Sequence, residues 1–216
     1  MVAMQNFSQI FSIDAGKRLE IKLAGVGGQG VILAGTILGR AAVIYERFSA
    51  VMTKEYGSDI RGGNVCTDLV VSGGKIHYPS SLSPDVLVLL AQKAFDSNRK
   101  WLEESCGSKG NENSKRKRLL ICDTDLVSME GISLPSCWKV SGLPFNTLAD
   151  SEFGSNGIAN MIFLGFFAAL TRIVSVKSLE LALQDLLPAQ NMDANFRAVE
   201  FGVRHGSVPA PESTSG

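Results

Sequence analysis

Two short stretches hold most of the residues in this chain whose types and spacing suit binding a charged ligand. The first, Gly25-Val26-Gly27-Gly28-Gln29-Gly30, has the spacing G-x-G-x-x-G. Glycines there permit a tight turn and close backbone approach. A helix opening directly behind them would offer free N–H groups and the positive end of its dipole to a phosphate or carboxylate. The second stretch is Lys54-Glu55-Tyr56-Gly57-Ser58-Asp59-Ile60-Arg61-Gly62-Gly63. Arg61 brings a planar guanidinium that clamps oxyanions, Tyr56 a ring face for stacking, and Gly62 and Gly63 room for a ligand to come near.

Neither stretch has one meaning. A dinucleotide fold needs an acidic residue at the end of the second strand, about 20 residues beyond the glycines, to hold a ribose. Glu46 has that spacing but falls before the strand, and Glu55 falls after it. The readings left open are a phosphate or acyl-carrier tail at the turn, and glycines that serve only tight helix–strand packing. The second loop has its own bland reading, in which Arg61 pairs with Asp59 or Glu55.

Other reactive side chains are sparse. Cys66, Cys106, Cys122 and Cys137 show no C-x-x-C spacing, and the two histidines, His77 and His205, lie far from them, so no zinc or iron–sulfur site is expected. All four cysteines read as buried thiols of a reducing cytosol. The run Lys115-Arg116-Lys117-Arg118 reads as a solvated charge cluster. Asn160 reads as a cap or a backbone-bonding side chain, and His77 and His205 have no evident nucleophile or acid to work with.

These residues need elements to position them. Residues 18–24 alternate polar and apolar and run into Gly25, the pattern of a strand entering a turn, and from Val31 apolar residues recur at helical spacing. Strands are expected at 48–52 and 64–71, with Gly73-Gly74 turning a hairpin into 75–78. Residues 86–90 read as a doubly buried strand, 94–102 as a helix, and 119–122 and 137–140 as further strands. The almost wholly apolar stretch 157–171 reads as a helix that is buried or packs on another subunit. Ser175 is placed to cap a helix that Pro188 ends, and a last helix is expected over 192–203. The sum is an α/β fold, a Rossmann-like three-layer α/β/α arrangement with a mixed, partly antiparallel sheet. An N-terminal extension (1–18), one domain (19–204) and a disordered tail (205–216) complete the expected organisation.

Composition narrows the class of partner. In 216 residues, 21 Lys and Arg balance 21 Asp and Glu, so nothing global draws the chain to nucleic acid or to an anionic membrane. The longest apolar run, 161–170, is far short of the ~20 residues of a membrane span. No cleavable signal is read at the N-terminus, and the expected location is the cytoplasm.

Taken together, A-G-V-G-G-Q-G-V at 24–31, Y-G-S-D-I-R-G-G at 56–63, I-H-Y-P at 76–79 and P-D-V-L-V-L-L at 84–90 resemble the gamma subunit of 2-oxoacid:ferredoxin oxidoreductases. The likeness continues through Asn160-Met161, Leu164-Gly165, the helix around Leu179, and Asn195, Ala198 and Gly202, and so covers about residues 19–204. It departs at Asp59, where many relatives carry Glu, and at 103–118, which looks like a local insertion. The form Y-G-x-x-x-R-G-G looks more like the 2-oxoglutarate type than the pyruvate or indolepyruvate types.

The resemblance implies a subunit of an enzyme that converts a 2-oxoacid and coenzyme A to acyl-CoA and carbon dioxide and passes two electrons to ferredoxin. Thiamine diphosphate, magnesium and iron–sulfur clusters would belong to other subunits, so no cofactor bound by this chain alone is expected. The implied partners are thiamine diphosphate-binding alpha and beta subunits and a ferredoxin-like subunit or ferredoxin. A coenzyme A-accommodating role would map to Gly25, Gly27, Gly28, Gln29 and Gly30 with Tyr56, Gly57, Arg61, Gly62 and Gly63. No catalytic or metal-binding residue is expected. For the chain alone, a homodimer through the 157–171 helix is the expectation. The competing readings are a stand-alone nucleotide-binding oxidoreductase of Rossmann type and pure interface scaffolding.

Overall fold

The computed structural model describes residues 11, 13, 17–57, 63–79, 81, 83–105 and 116–207. Six strands form one sheet in the order β2-β3-β1-β4-β5-β6. They are β1 (Arg18–Val26), β2 (Ser49–Tyr56), β3 (Asn64–Ser72), β4 (Val86–Leu89), β5 (Arg118–Asp123) and β6 (Trp138–Leu143). β3 runs antiparallel to both β1 and β2, whereas β1, β4, β5 and β6 are mutually parallel. The expected mixed sheet is therefore present.

Alternation along the strands decides which side each residue serves. Ile21 and Leu23 of β1, Val86 and Val88 of β4 and Leu119 and Ile121 of β5 face one core. That core is closed by α1 (Val31–Arg40), α3 (Phe145–Phe153), α4 (Ala159–Thr171), α5 (Val176–Leu186) and α6 (Met192–Gly206). Ala24, Leu87, Leu89, Leu120 and Cys122 face the other side, where α2 (Gln92–Glu104) covers them with Ala94, Phe95 and Leu102. The three layers follow from this division. The chain also leaves β1 towards one face and β4 towards the opposite face. The carboxyl ends of these two neighbouring parallel strands thus form a topological switch point, where open α/β sheets bind ligands.

α4 is apolar all round because the chain encloses it. Twelve of its residues, Ala159 to Ala168 with Leu170 and Thr171, are buried. α6 crosses it closely: a Cβ on Gly165 would stand 1.9 Å from the Val199 carbonyl oxygen, and one on Gly202 would stand 2.0 Å from that of Ile162. The helix has no bare face, so the expected homodimer through it loses its physical reason. Cover comes from within.

Several expectations are corrected. Lys54, Glu55 and Tyr56 are the last residues of β2, paired with Thr67, Cys66 and Val65, so the second loop is shorter than its composition suggested. The hairpin joins β2 to β3, not β3 to 75–78. β3 is already bonded along both edges, by β2 and by β1, and has no free side for another strand. His77 therefore lies in irregular chain. α3 was not anticipated, although Pro144 at its start and left-handed Gly154 at its end mark it. α6 runs on to Gly206 and takes in His205, and Phe11, assigned to a free extension, is buried in the helix-side core. The tail from 208 lies outside the described residues.

The basic run is solvated only in part: Lys117 is exposed, but the run's two arginines are committed. Arg118 opens a central strand and is fully buried between the rings of Trp101 and Trp138, 5.5 and 5.7 Å from their centroids, while Arg116 pairs with Asp85. Lys115 lies outside the described residues. Cys66 and Cys122 are free thiols, as expected, but Cys137 is disulfide-bonded, with its partner outside the described residues. Folding brings the start of β6 beneath the end of α2, where Trp138 Nε1 donates to Ser105 Oγ at 2.8 Å. Spacing along the chain gave no sign of that approach.

Candidate functional site

The glycine turn is built as its sequence implied, between β1 and α1. Gly28 and Gly30 have φ of 98° and 71°, the left-handed region that glycine enters without strain, and Gly30 is the residue from which α1 springs. No acidic residue stands in the first turn of α1, and Ala34 N–H is the first to find its helical partner, the Gly30 carbonyl. The N–H groups of the three preceding helical residues carry the positive end of the helix dipole with no intrahelical acceptor.

The hairpin loop meets this turn. Gly27 N–H donates to the Gly63 carbonyl at 3.2 Å, and Gly57 N–H to the Asn64 carbonyl at 2.6 Å. Register explains the meeting: Tyr56 on β2 lies opposite Val65 on β3, which lies opposite Gly25 on β1. Between the two loops is a groove of about 450 Å³ lined by Val26, Gly27, Gly28, Gly30, Val31 and Tyr56, among others. Tyr56 is 68% exposed at its rim. Of the expected site residues, Gly27, Gly28, Gly30, Tyr56, Gly57 and Gly63 are brought together there. Gly25 lies buried behind the turn, and Arg61 and Gly62 lie outside the described residues.

Gln29 points the other way. Its Oε1 accepts from Val26 N–H at 2.9 Å and its Nε2 donates to the Leu90 carbonyl at 2.6 Å. It forms part of the wall of a second, smaller space of about 170 Å³ at the switch point, bounded also by Gly28, Asp123, Asn146, Asn160 and Phe163. Asp123 is fully buried and accepts from Asn146 N–H and Nδ2 at 3.2 and 2.9 Å, which caps the start of α3. Asn160 neither caps nor bonds the backbone as expected: its Oδ1 is buried without a partner, and its amide lies against Gly30. Sequence reasoning missed this crevice. Its wall comes from five separated parts of the chain, and only a Gly30 that excludes a side chain hinted at a close neighbour.

Glu46, which had the spacing of a ribose-binding acid, is committed elsewhere. Its Oε1 accepts from Ser175 N–H at 2.8 Å, at the start of α5. Burial acts to raise its pKa, but hydrogen bonds from the Ser178 hydroxyl and from Ser175 outweigh it and hold the carboxyl below its ordinary range. No Ser, Cys or His lines either space among the described residues. The arrangement suits holding an acceptor-rich or anionic group.

Residues 20–205 match the family model described as pyruvate ferredoxin/flavodoxin oxidoreductase. The 2-oxoglutarate synthase subunit KorC of Methanocaldococcus jannaschii is 37% identical over 185 residues, spanning 86% of this chain and 92% of that one. The subunit of the same name from Methanothermobacter thermautotrophicus is 35% identical over 188 residues, or 86% and 93% of the two chains. Among solved structures, the gamma subunit of a keto/oxoacid ferredoxin oxidoreductase from Geobacter sulfurreducens superposes with a TM-score of 0.68 at 29% identity, covering 88% of this chain and 98% of that one.

Proposed function

Because this chain belongs to the pyruvate ferredoxin/flavodoxin oxidoreductase family, we propose that it is the gamma subunit of a 2-oxoglutarate:ferredoxin oxidoreductase and that its groove accommodates part of coenzyme A. In that reaction 2-oxoglutarate and coenzyme A yield succinyl-CoA and carbon dioxide, and the two electrons released pass to ferredoxin. The observation that carries the ligand part of the reading is the junction of the two loops. A free helix N-terminus and a glycine backbone face a groove of about 450 Å³ with no Asp or Glu among its described lining residues; Glu55, although it falls at the end of β2, is not one of them. Such a surface favours the phosphates and carbonyls of a nucleotide thioester carrier over a dinucleotide.

The redox and decarboxylation chemistry belongs, on this reading, to thiamine diphosphate-binding alpha and beta subunits and to a ferredoxin-like subunit or ferredoxin, in the cytoplasm. No three His, Cys, Asp or Glu side chains converge among the described residues, so those residues do not fit the thiolate set of an iron–sulfur cluster. No helix among them is long and apolar enough to cross a membrane. This chain's own part is to bind, orient and shield.

The test is to purify the native chain without oxygen, identify what comes with it, and assay the complex. Thiamine- and ferredoxin-type subunits should copurify, ferredoxin reduction should need both 2-oxoglutarate and coenzyme A, and omission of this chain on reassembly should raise KM for coenzyme A or abolish turnover. Preference for pyruvate or indolepyruvate in kcat/KM would move the substrate assignment. Tight NAD(P) binding with turnover by the chain alone would overturn the reading.

A further inference from the structure

Both ends of the Gln29 amide are committed to backbone, and the two backbone groups belong to different strands. Val26, whose N–H it accepts, ends β1, and Leu90, whose carbonyl it binds, directly follows β4. One side chain therefore bridges the carboxyl ends of two adjacent parallel strands at the point where the chain leaves them for opposite faces of the sheet. The bridge also explains a glycine. A Cβ on Gly25 would stand 2.5 Å from the Gln29 Oε1, so the side chain occupies the space that Gly25 leaves. These two bonds, of 2.9 Å at Oε1 and 2.6 Å at Nε2, fix the position and plane of the amide and tie each end of it to a different strand.

We propose that Gln29 is a positioning residue: its amide staples the glycine turn to β4 and so sets the direction in which the N–H groups opening α1 face the groove. The consequence for activity rests on the coenzyme A reading above; the staple itself does not. The staple holds the turn from the crevice side, while the Gly27 to Gly63 hydrogen bond holds it from the groove side. Inside the turn Gln29 N–H also donates to the Val26 carbonyl at 3.2 Å, so loss of the staple loosens the turn's orientation without unmaking it.

Gln29→Glu tests this with little change of shape. The introduced carboxylate can still accept from Val26 N–H, but it faces the Leu90 carbonyl with no proton to donate; once protonated, it can make both bonds. Burial and the Asp123 carboxylate, the one titratable group among the described residues lining that crevice, both favour the protonated form. The full chain is followed by hydrogen exchange at Gly27 and Gln29, and the assembled complex by its KM for coenzyme A. At pH 8 exchange should quicken and KM rise at least tenfold relative to wild type, with kcat down less than threefold. Both ratios should return towards one as the pH is lowered through the titration of the new acid. Gln29→Met, which keeps the length and loses both bonds, should show the high-pH behaviour at every pH. Faster exchange with an unchanged KM would support the staple and sink the coenzyme A reading. If both variants leave exchange at Gly27 and Gln29 as in wild type, or change only the melting temperature, the positioning role is overturned.

Discussion

Gly27 N–H donates to the Gly63 carbonyl at 3.2 Å, so the glycine turn after β1 and the foot of the β2–β3 hairpin are bonded directly to each other. The two glycine-bearing stretches are therefore the two walls of one groove. A change in the turn is felt at the hairpin without any ligand between them.

The turn glycines should separate into two kinds on substitution. Gly30 has φ of 71°, and a Cβ there would stand 2.2 Å from Asn160 Nδ2, so Gly30→Ala should cost at least the ~1–2 kcal/mol of a left-handed alanine. Gly27 has nothing within 4 Å of a Cβ. Gly27→Ala should change stability by less than about 0.5 kcal/mol while narrowing the groove. Thermal melts of the two variants beside KM for coenzyme A check both halves; equal melting temperatures would show that the turn is not held as described.

Gly165→Ala should destabilise strongly. The methyl would meet the Val199 carbonyl oxygen at 1.9 Å, and neither helix backbone can give way without opening the α4–α6 crossing. Overpacking of this kind costs about 1–3 kcal/mol or more, and urea unfolding reads it directly. A loss under about 0.5 kcal/mol would contradict the packing.

Much of this was legible before folding. Period-two alternation exposed β1, the short apolar run exposed β4, and helical spacing exposed α1 and α5, because each pattern reports a neighbour only a few residues away. Tyr56 was misread as loop because glycines just beyond it dominate the composition, while the partner that makes it a strand residue, Val65, comes later in the chain. Gly73-Gly74 was a sound turn signal, but whether a turn closes a hairpin depends on whether the preceding strand has a free edge. Arg118 and Cys137 failed for the same reason: the Trp101–Trp138 sandwich and the disulfide are properties of elements brought together, not of spacing. The groove was anticipated from its two loops, whereas the crevice behind it, with Asp123 and Asn160, needed the fold.

Glu46→Gln should make stability less sensitive to acid. The wild-type carboxyl is held below its ordinary pKa by bonds it makes only when folded, so its contribution is complete above the unfolded value of roughly 4.3 and is lost as the pH falls through the lower folded value. Wild type should exceed the variant at pH 7 by about 0.3–1 kcal/mol, the range for an acid at a helix start, and the gap should close in acid. Urea midpoints at pH 7 and at about pH 3 measure it; a gap that widens in acid would refute the assignment.

Native thiols should resist alkylation. Burial, with a smaller push from the neighbouring Asp123, raises the Cys122 pKa to about 11. Burial also raises that of Cys66, although Lys22 pulls the other way. At pH 8 the reactive thiolate is scarce at both sites. Mass spectrometry after a brief iodoacetamide pulse should find both unmodified in the native chain and both modified in urea, whereas rapid native labelling of Cys122 would contradict its burial.

The close crossing of α4 and α6 also sets an order of events during synthesis. The glycine turn is translated well before Asn160, which packs against Gly30 and sits on α4, whose backbone is matched to Val199 and Gly202 of α6. A nascent chain therefore carries every residue of the motif beside an unfinished wall until α6 is made. The crevice can close only when α6 arrives, so a chain truncated before Gly202 would have every glycine of the motif and no crevice behind it.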